Sequence, residues 1–217
     1  MINALKSNNN SYISQAFSWF GFALLLSAGG IGIGIKFANL FFSSPVIFYM
    51  AIAAELIMAF TAQMWVKKEW AIHAFAGFAL LSGLTAVPIL LAAGAMGGFG
   101  IILKALVSAG AAFGAAALYG YTTKSDLNGL RSFLLPMLFG LILAGIINIF
   151  LKSTLIEFVG AGIGVVVFTI WAAVDIQRIR SSNYGASPIL AGMSLYLDFF
   201  NLFISILRLF MFFGNRY

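Results

Sequence analysis

The chain has 217 residues, of which 62% are hydrophobic and only 8% are charged, and its mean hydropathy is +1.04. A water-soluble domain needs more charge on its surface, so this composition excludes a soluble protein and indicates a polytopic helical membrane protein. The net charge of +6 comes from Lys and Arg residues scattered singly or in pairs, which favours topology-setting charges in short loops over a nucleic-acid surface.

Lys and Arg residues separate apolar stretches, each with roughly the 20 residues that a helix needs to cross the hydrocarbon core. We predict an all-α bundle of seven transmembrane helices forming a single domain over residues 1–217, with residues 1–13 as a short cytoplasmic tail. The predicted spans are Ser14–Ile35, Pro45–Trp65, Ala71–Leu91, Gly98–Tyr121, Ser132–Phe150, Leu155–Ile179 and Pro188–Phe213. Pro88 is expected to kink the third span. Glycine-rich runs such as AGGIGIGI and VGAGIGVV favour close helix packing over a nucleotide-binding loop, because no strand precedes them.

The positive charges also predict the orientation. With a cytoplasmic N-terminus, the inside segments hold Lys6, Lys67, Lys68, Lys124, Arg131, Arg178 and Arg180. The outside connections then hold Lys36, Lys152 and the terminal Arg216. Because positive loops stay on the cytoplasmic side, we expect a cytoplasmic N-terminus and, with seven spans, an external C-terminus.

Four ionisable residues resist placement at a membrane interface: Glu55, Asp175, Asp198 and Arg208. A charged side chain at the centre of a membrane helix costs about 2.5–3.5 kcal/mol on insertion scales, so its default interpretation is functional. Glu55 either faces the interior and supports an ion path or is a protonated, hydrogen-bonded structural residue. Arg208 either serves as a counter-ion or extends outward toward the interface.

The last span carries a polar stripe. Steps of four and three residues connect Ser194, Asp198, Asn201, Ser205 and Arg208. This spacing keeps them on one helix face, which should point into the bundle or toward water. Hydrogen bonding between helices would explain the serines and Asn201 equally well, but it explains the carboxyl of Asp198 less easily.

The last two spans are antiparallel, so residues equally far from the loop centre at Gly185 and Ala186 should lie at similar depth. Asp175 and Asp198 satisfy this condition and could face one another. Two carboxyls in a low-dielectric site cannot both ionise cheaply, so the pair could hold one proton between them. Full deprotonation would create an oxygen-rich site that suits calcium. Alternatively, Asp175 pairs with Arg178 on the next helical turn.

Catalytic chemistry has little support in this composition. The chain has no cysteine and one histidine, His73, which we expect at an interface rather than as a ligand. A zinc site needs several such ligands, and no GxSG-type nucleophile is present for a serine hydrolase. We therefore predict that the protein is not an enzyme and has no cofactor.

Three segments carry a family resemblance: LYGYTTKSDL (Leu118–Leu127), VDIQRIR (Val174–Arg180) and SLYLDFFNLF (Ser194–Phe203). Together they resemble the bacterial branch of the Bax-inhibitor family. The resemblance implies a last helix surrounded by the other six, and a pH-sensitive calcium leak controlled by an aspartate pair that matches Asp175 and Asp198. Studied relatives latch this pair with an arginine near the end of the second span. Here residues 63–68 read QMWVKK, so either the latch is absent or a lysine replaces the arginine.

The sequence thus predicts a pH-sensitive cation leak, with calcium as the expected ion, in the bacterial inner membrane. In this prediction Asp175 and Asp198 form the gate and bind calcium transiently. Ser194, Asn201 and Ser205 line the route, and Glu55 and Arg208 are further candidates for it. Other bacterial relatives imply the alternative of a membrane-embedded partner or modulator of a quality-control protease, without ion flux. The expected partners are lipid, calcium and protons, and no nucleic acid.

Overall fold

A computed structural model describes residues 2–38, 44–181 and 187–214, with side chains from residue 11 onward. These residues form helices and short connections, and no strand occurs among them, which confirms the all-α prediction. The helices are α1 (Ile2–Lys36), α2 (Pro45–Phe60), α3 (Ala62–Trp65), α4 (Ala71–Thr85), α5 (Val87–Thr122), α6 (Arg131–Leu151), α7 (Thr154–Arg180) and α8 (Pro188–Gly214). A 3₁₀ turn at Asn128–Leu130 precedes α6. Gly185, Ala186 and Arg216 lie outside the described residues.

Five stretches are long and apolar enough to cross a membrane: Ser11–Lys36, Ala71–Thr122, Asn128–Leu151, Thr154–Arg180 and Pro188–Gly214. The second of them has 52 residues and contains two of the predicted spans. The shorter apolar helix α2 has 16 residues. A membrane helical bundle therefore fits, and the count of seven spans stays a prediction.

The 52-residue stretch has two interruptions. The first is at Ala86, between the end of α4 at Thr85 and the start of α5 at Val87, and Pro88 on the first turn of α5 has no N–H to donate to the preceding turn. This is the place of the predicted kink. The second is at Gly97 and Gly98, where the backbone leaves helical geometry and Gly98 has φ of +62°. Only glycine adopts this left-handed conformation without strain, so α5 divides at the predicted boundary between spans three and four.

The chain divides into two compact units. Unit 1 comprises Met1–Leu91 and Tyr184–Tyr196. Within it α1 packs against α4, and two glycines lie at the crossing. A Cβ atom at Gly30 would overlap the backbone of Leu80, and one at Gly83 would overlap the backbone of Ser27. Glycine therefore permits a backbone approach that any larger residue would prevent.

Unit 2 comprises Ala92–Asn183 and Leu197–Tyr217. In this unit α7 packs against α6. It also closely approaches α5 and α8, in each case at a glycine. A Cβ atom at Gly120 of α5 would overlap the carbonyl oxygen of Ala173, and one at Gly164 of α7 would lie 2.5 Å from the hydroxyl of Ser205. These close approaches position the polar side chains of α7 and α8.

The helix α8 is the most buried of the five candidate spans, with 56% of its most apolar window buried against at most 28% for the others. The central place of the last helix among the other six stays a prediction. At the other end of the chain, α1 already begins at Ile2, so the predicted tail is helical. The cytoplasmic location of this tail and the single-domain organisation stay predictions.

Candidate functional site

The two aspartates singled out from the sequence lie together in unit 2. Asp175, on the last turns of α7, is 2% exposed, and Asp198, in the middle of α8, is 5% exposed. The carboxyl of Asp198 interacts electrostatically with that of Asp175. The antiparallel arrangement of α7 and α8 thus brings together two acids that are 23 positions apart in the sequence.

Asp175 also has a cationic neighbour. Nη1 of Arg178 lies 3.6 Å from Oδ1 of Asp175, one helical turn further along α7. Asp175 therefore forms the ion pair with Arg178 that was the alternative prediction, and it also interacts with Asp198. One contact does not exclude the other. The site combines two carboxyls with one guanidinium. Its charge is zero when the carboxyls hold one proton and −1 when both are ionised.

One oxygen of Asp198 stands out. Its Oδ2 is fully buried and has no hydrogen-bond partner among the residues that the structure describes. A buried acceptor without a partner costs about 1–3 kcal/mol, more when it is charged, so native proteins seldom retain one without a reason. Oδ2 is therefore the atom of this site best placed to accept a proton or contact a hard cation.

The rest of the polar stripe is placed in different surroundings. Asn201 donates from Nδ2 to the carbonyl of Leu197 in its own helix, at 2.8 Å, and is half-buried. Ser205 is buried against Gly164 of α7. Ser194 is half-buried in the part of α8 that belongs to unit 1. For Asn201 and Ser205, these contacts fit a role in helix structure and packing, which was the alternative to a role in lining an ion route.

Arg208 lies apart from the aspartates. It is 44% exposed, and its Nε lies 3.9 Å from Oε1 of Glu157, which is 50% exposed. Ten residues separate it from Asp198, a rise of about 15 Å along the helix. Arg208 is thus the counter-ion of Glu157, and such an exposed pair contributes about 0–1 kcal/mol.

The remaining candidates belong to unit 1. The carboxyl oxygens of Glu55 on α2 form hydrogen bonds with the hydroxyls of Ser82 and Thr85 on α4. His73 is exposed near the start of α4, as expected of an interfacial residue. Lys67 and Lys68, considered as replacements for the latch arginine, are exposed and form no ion pair within the described part of the chain.

Sequence reasoning missed Gln177, which is 8% exposed and lies one helical turn from Ala173. Its Oε1 accepts from the backbone N–H of Leu127 at 2.8 Å, and its Nε2 donates to the carbonyl of Ser125 at 2.7 Å. Both bonds hold the loop that connects α5 to the 3₁₀ turn. A signal was available, because a glutamine among the apolar positions of a helix needs partners for both its amide groups.

A second contact ties the same segments together. Nη1 of Arg180 donates to the carbonyl of Tyr121, and the guanidinium lies 5.8 Å from the centre of the Tyr121 ring. Within the loop, hydrogen bonds from Asn128 hold the pKa of the exposed Asp126 carboxyl below its usual value. The segments VDIQRIR and LYGYTTKSDL therefore form one structural element, with the end of α7 fixed to the loop.

We expect Gln177→Leu to release this loop. Losing two hydrogen bonds of about 1 kcal/mol each should raise the open population of the loop about 30-fold. Trypsin cleavage after the exposed Lys124 should accelerate accordingly, because cleavage follows the open population when reclosing is fast. Mass spectrometry of timed digests measures this rate. Gln63→Leu, which removes an exposed glutamine of α3, is the matched control, and equal rates for both variants would contradict the role of Gln177.

Comparison with known proteins extends over nearly the whole chain. The family described as "Inhibitor of apoptosis-promoting Bax1" matches residues 9–215. Cj0236c of Campylobacter jejuni is 30% identical over 218 residues, covering 99% of this chain and 94% of its own. A protein of Helicobacter pylori J99 is 34% identical over 208 residues, covering 95% and 88%. The Escherichia coli K12 "Inner membrane protein YbhL" is 33% identical over 227 residues, covering 97% and 94%.

These matches include all three segments that carry the resemblance, and they agree with the apolar helices of the fold. The chain therefore belongs to the Bax-inhibitor family and is a membrane protein of that family.

Proposed function

We propose that this protein is a pH-sensitive cation leak, with calcium as the conducted ion, and that Asp175 and Asp198 form its gate. The observation that carries the proposal is the buried site in unit 2, where the carboxyl of Asp198 interacts with that of Asp175, and Asp175 pairs with Arg178. Such a site changes its charge when a single proton leaves. Hard divalent cations prefer the carboxylate oxygens that this change makes available.

The charge balance gives the mechanism. With one proton on the pair, Arg178 compensates the single remaining carboxylate and the site is neutral, which favours its burial. When that proton leaves, one negative charge is uncompensated, and the two carboxyls repel each other. The buried Oδ2 of Asp198 then becomes an attractive first ligand for a cation. Ser194, Asn201 and Ser205 are proposed as weaker ligands along the route.

We further propose a bacterial inner-membrane location with a cytoplasmic N-terminus. The similarity to YbhL, which is named an inner membrane protein, supports the location, and the positive charges of the predicted inside loops support the orientation. The protein's partners in this proposal are lipid, protons and the conducted cation. No enzymatic activity and no resident cofactor form part of the proposal.

Calcium flux into proteoliposomes, measured across a pH series, tests the proposal. We expect flux above that of protein-free liposomes, with a marked dependence on pH. Asp126→Asn is the matched control, because it neutralises an exposed loop aspartate and should leave flux and its pH profile unchanged. Absence of flux at every pH would contradict the proposal. It would favour the alternative role as a protease partner, which co-purification with a membrane-bound protease would then test.

A further inference from the structure

A second buried polar cluster lies in unit 1, around Glu55 of α2. Its Oε1 lies 2.5 Å from the hydroxyl oxygen of Ser82, and its Oε2 lies 2.8 Å from the hydroxyl oxygen of Thr85. Ser82 is fully buried. Both partners are on α4, so the carboxyl joins two helices through hydroxyl groups alone.

Two other helices of unit 1 contribute to these surroundings. Tyr196 of α8 is fully buried, and its ring packs edge-on against Phe78 of α4 with centroids 6.0 Å apart. Its hydroxyl lies near Ser82 and near the buried Ser27 of α1. The groups around the carboxyl thus come from α1, α4 and α8, and apart from Tyr196 they do not titrate.

No Lys, Arg or His among the described side chains pairs with Glu55, and no charged side chain among them acts on its carboxyl. An ionised carboxylate there would be an uncompensated charge inside an apolar helix pair, which is costly in a membrane. One monovalent cation would neutralise it. A divalent ion would leave an excess positive charge, because the cluster holds a single carboxyl.

The hydrogen-bond pattern indicates which monovalent cation fits. The hydroxyl of Thr85 has one hydrogen, yet its oxygen lies 2.8 Å from Oε2 of Glu55 and 3.0 Å from the carbonyl oxygen of Ser82. With a proton on Oε2, Glu55 donates to Thr85 and Thr85 donates to the carbonyl, so every short contact has a hydrogen. Without that proton the two acceptors compete for one hydrogen.

We propose that Glu55, with Ser82 and Thr85, is a proton-binding site that fastens α2 to α4. The site is separate from the aspartate pair of unit 2 and does not depend on ion flux. Loss of the proton leaves a bare carboxylate between the two helices and weakens their contact. Over the pH range where the native site holds this proton and the unfolded chain has lost it, the native chain binds one more proton than the unfolded chain does, so the free energy of unfolding falls as pH rises.

Thermal unfolding of the purified full chain in nanodiscs, across a pH series, tests this site. At pH values where the unfolded chain has lost this proton and the native site still holds it, the unfolding constant of the wild type should rise about tenfold per pH unit relative to that of Glu55→Gln, and the difference should level off once the native site loses the proton too. Glutamine keeps both hydrogen-bond partners, accepting from Ser82 and donating to Thr85, and it cannot ionise. We therefore expect Glu55→Gln to unfold at a higher temperature than the wild type at high pH. Titration of Asp175 and Asp198 is common to both proteins and cancels in the comparison.

Glu157→Gln is the matched control, because Glu157 is half-exposed and paired with Arg208. It should follow the wild-type pH profile. Infrared difference spectra of wild type minus Glu55→Gln should show a protonated carboxyl band at low pH that disappears at high pH. A carboxylate band at every pH, or an unfolding temperature that Glu55→Gln lowers at every pH, would overturn the proposal. A stabilisation by sodium chloride over choline chloride that Glu55→Gln removes would also overturn it.

Discussion

Asp198→Asn should flatten the pH profile of calcium flux, so that the ratio of flux at the two ends of the pH series falls to about one. An amide keeps the shape of the carboxyl but cannot lose a proton, and the remaining Asp175 is already compensated by Arg178. The site is then neutral at every pH, and the coupled titration of two carboxyls no longer exists. Flux in proteoliposomes across pH, with the wild type measured in parallel, gives the ratio.

Asp175→Asn provides the comparison. It also removes the coupled titration, but it leaves Arg178 without its acidic neighbour one turn away. Removing one member of a buried ion pair costs more than a neutral substitution does, so this variant should lose both pH sensitivity and thermal stability. Asp198→Asn should keep its stability. A wild-type pH profile in the Asp198→Asn variant would show that the aspartate pair does not control the flux.

The helices could be predicted well from the sequence because a helix that crosses the hydrocarbon core needs about 20 apolar residues in a row, and such runs are visible in the sequence. The predicted last span, Pro188–Phe213, and the observed α8, Pro188–Gly214, differ by one residue at one end. The glycine break between spans three and four could also be located, since a run of small residues without charge leaves few other places for a turn. Helix lengths and helix breaks depend on residues that are close together in the chain, so they can be predicted from a single sequence.

The aspartate pair was within reach of prediction for a related reason. In a helical hairpin, distance from the loop fixes depth, so Asp175 and Asp198 could be matched without knowledge of any other helix. Arg208 shows where this reasoning ends. Periodicity places Arg208 on the face of Asp198, but its partner Glu157 depends on how the start of α7 lies beside the end of α8.

The hydrogen-bond partners of Glu55 and Gln177 could not be predicted from the sequence. The hydroxyl partners of Glu55 are 27 and 30 residues away, and the loop atoms bound by Gln177 are 50 and 52 residues away. Hydropathy gives the depth of a polar side chain in the membrane but not the neighbour that satisfies it. Buried polar groups must find partners, so the need could be predicted from the sequence, whereas the identity of each partner required the packing of the helices.

Gly120→Ala should destabilise unit 2 strongly. Gly120 lies on α5 within the segment LYGYTTKSDL, and a Cβ atom there would overlap the carbonyl oxygen of Ala173 on α7. A backbone atom cannot move aside as the end of a flexible side chain can, so the two helices must separate. Overpacking of this kind costs about 1–3 kcal/mol and sometimes more. Thermal unfolding in nanodiscs should therefore show a marked loss relative to the wild type.

Gly114→Ala isolates the cause, because Gly114 is on the same helix, is exposed, and has nothing within 4 Å of its added Cβ. The same substitution should there be neutral or slightly stabilising, since alanine forms helix more readily than glycine. Separation of α5 from α7 should also loosen the Gln177 contact with the loop, so Gly120→Ala should accelerate trypsin cleavage after Lys124. Equal unfolding temperatures for the two glycine variants would show that the crossing of α5 and α7 does not hold this loop and the end of α7 together.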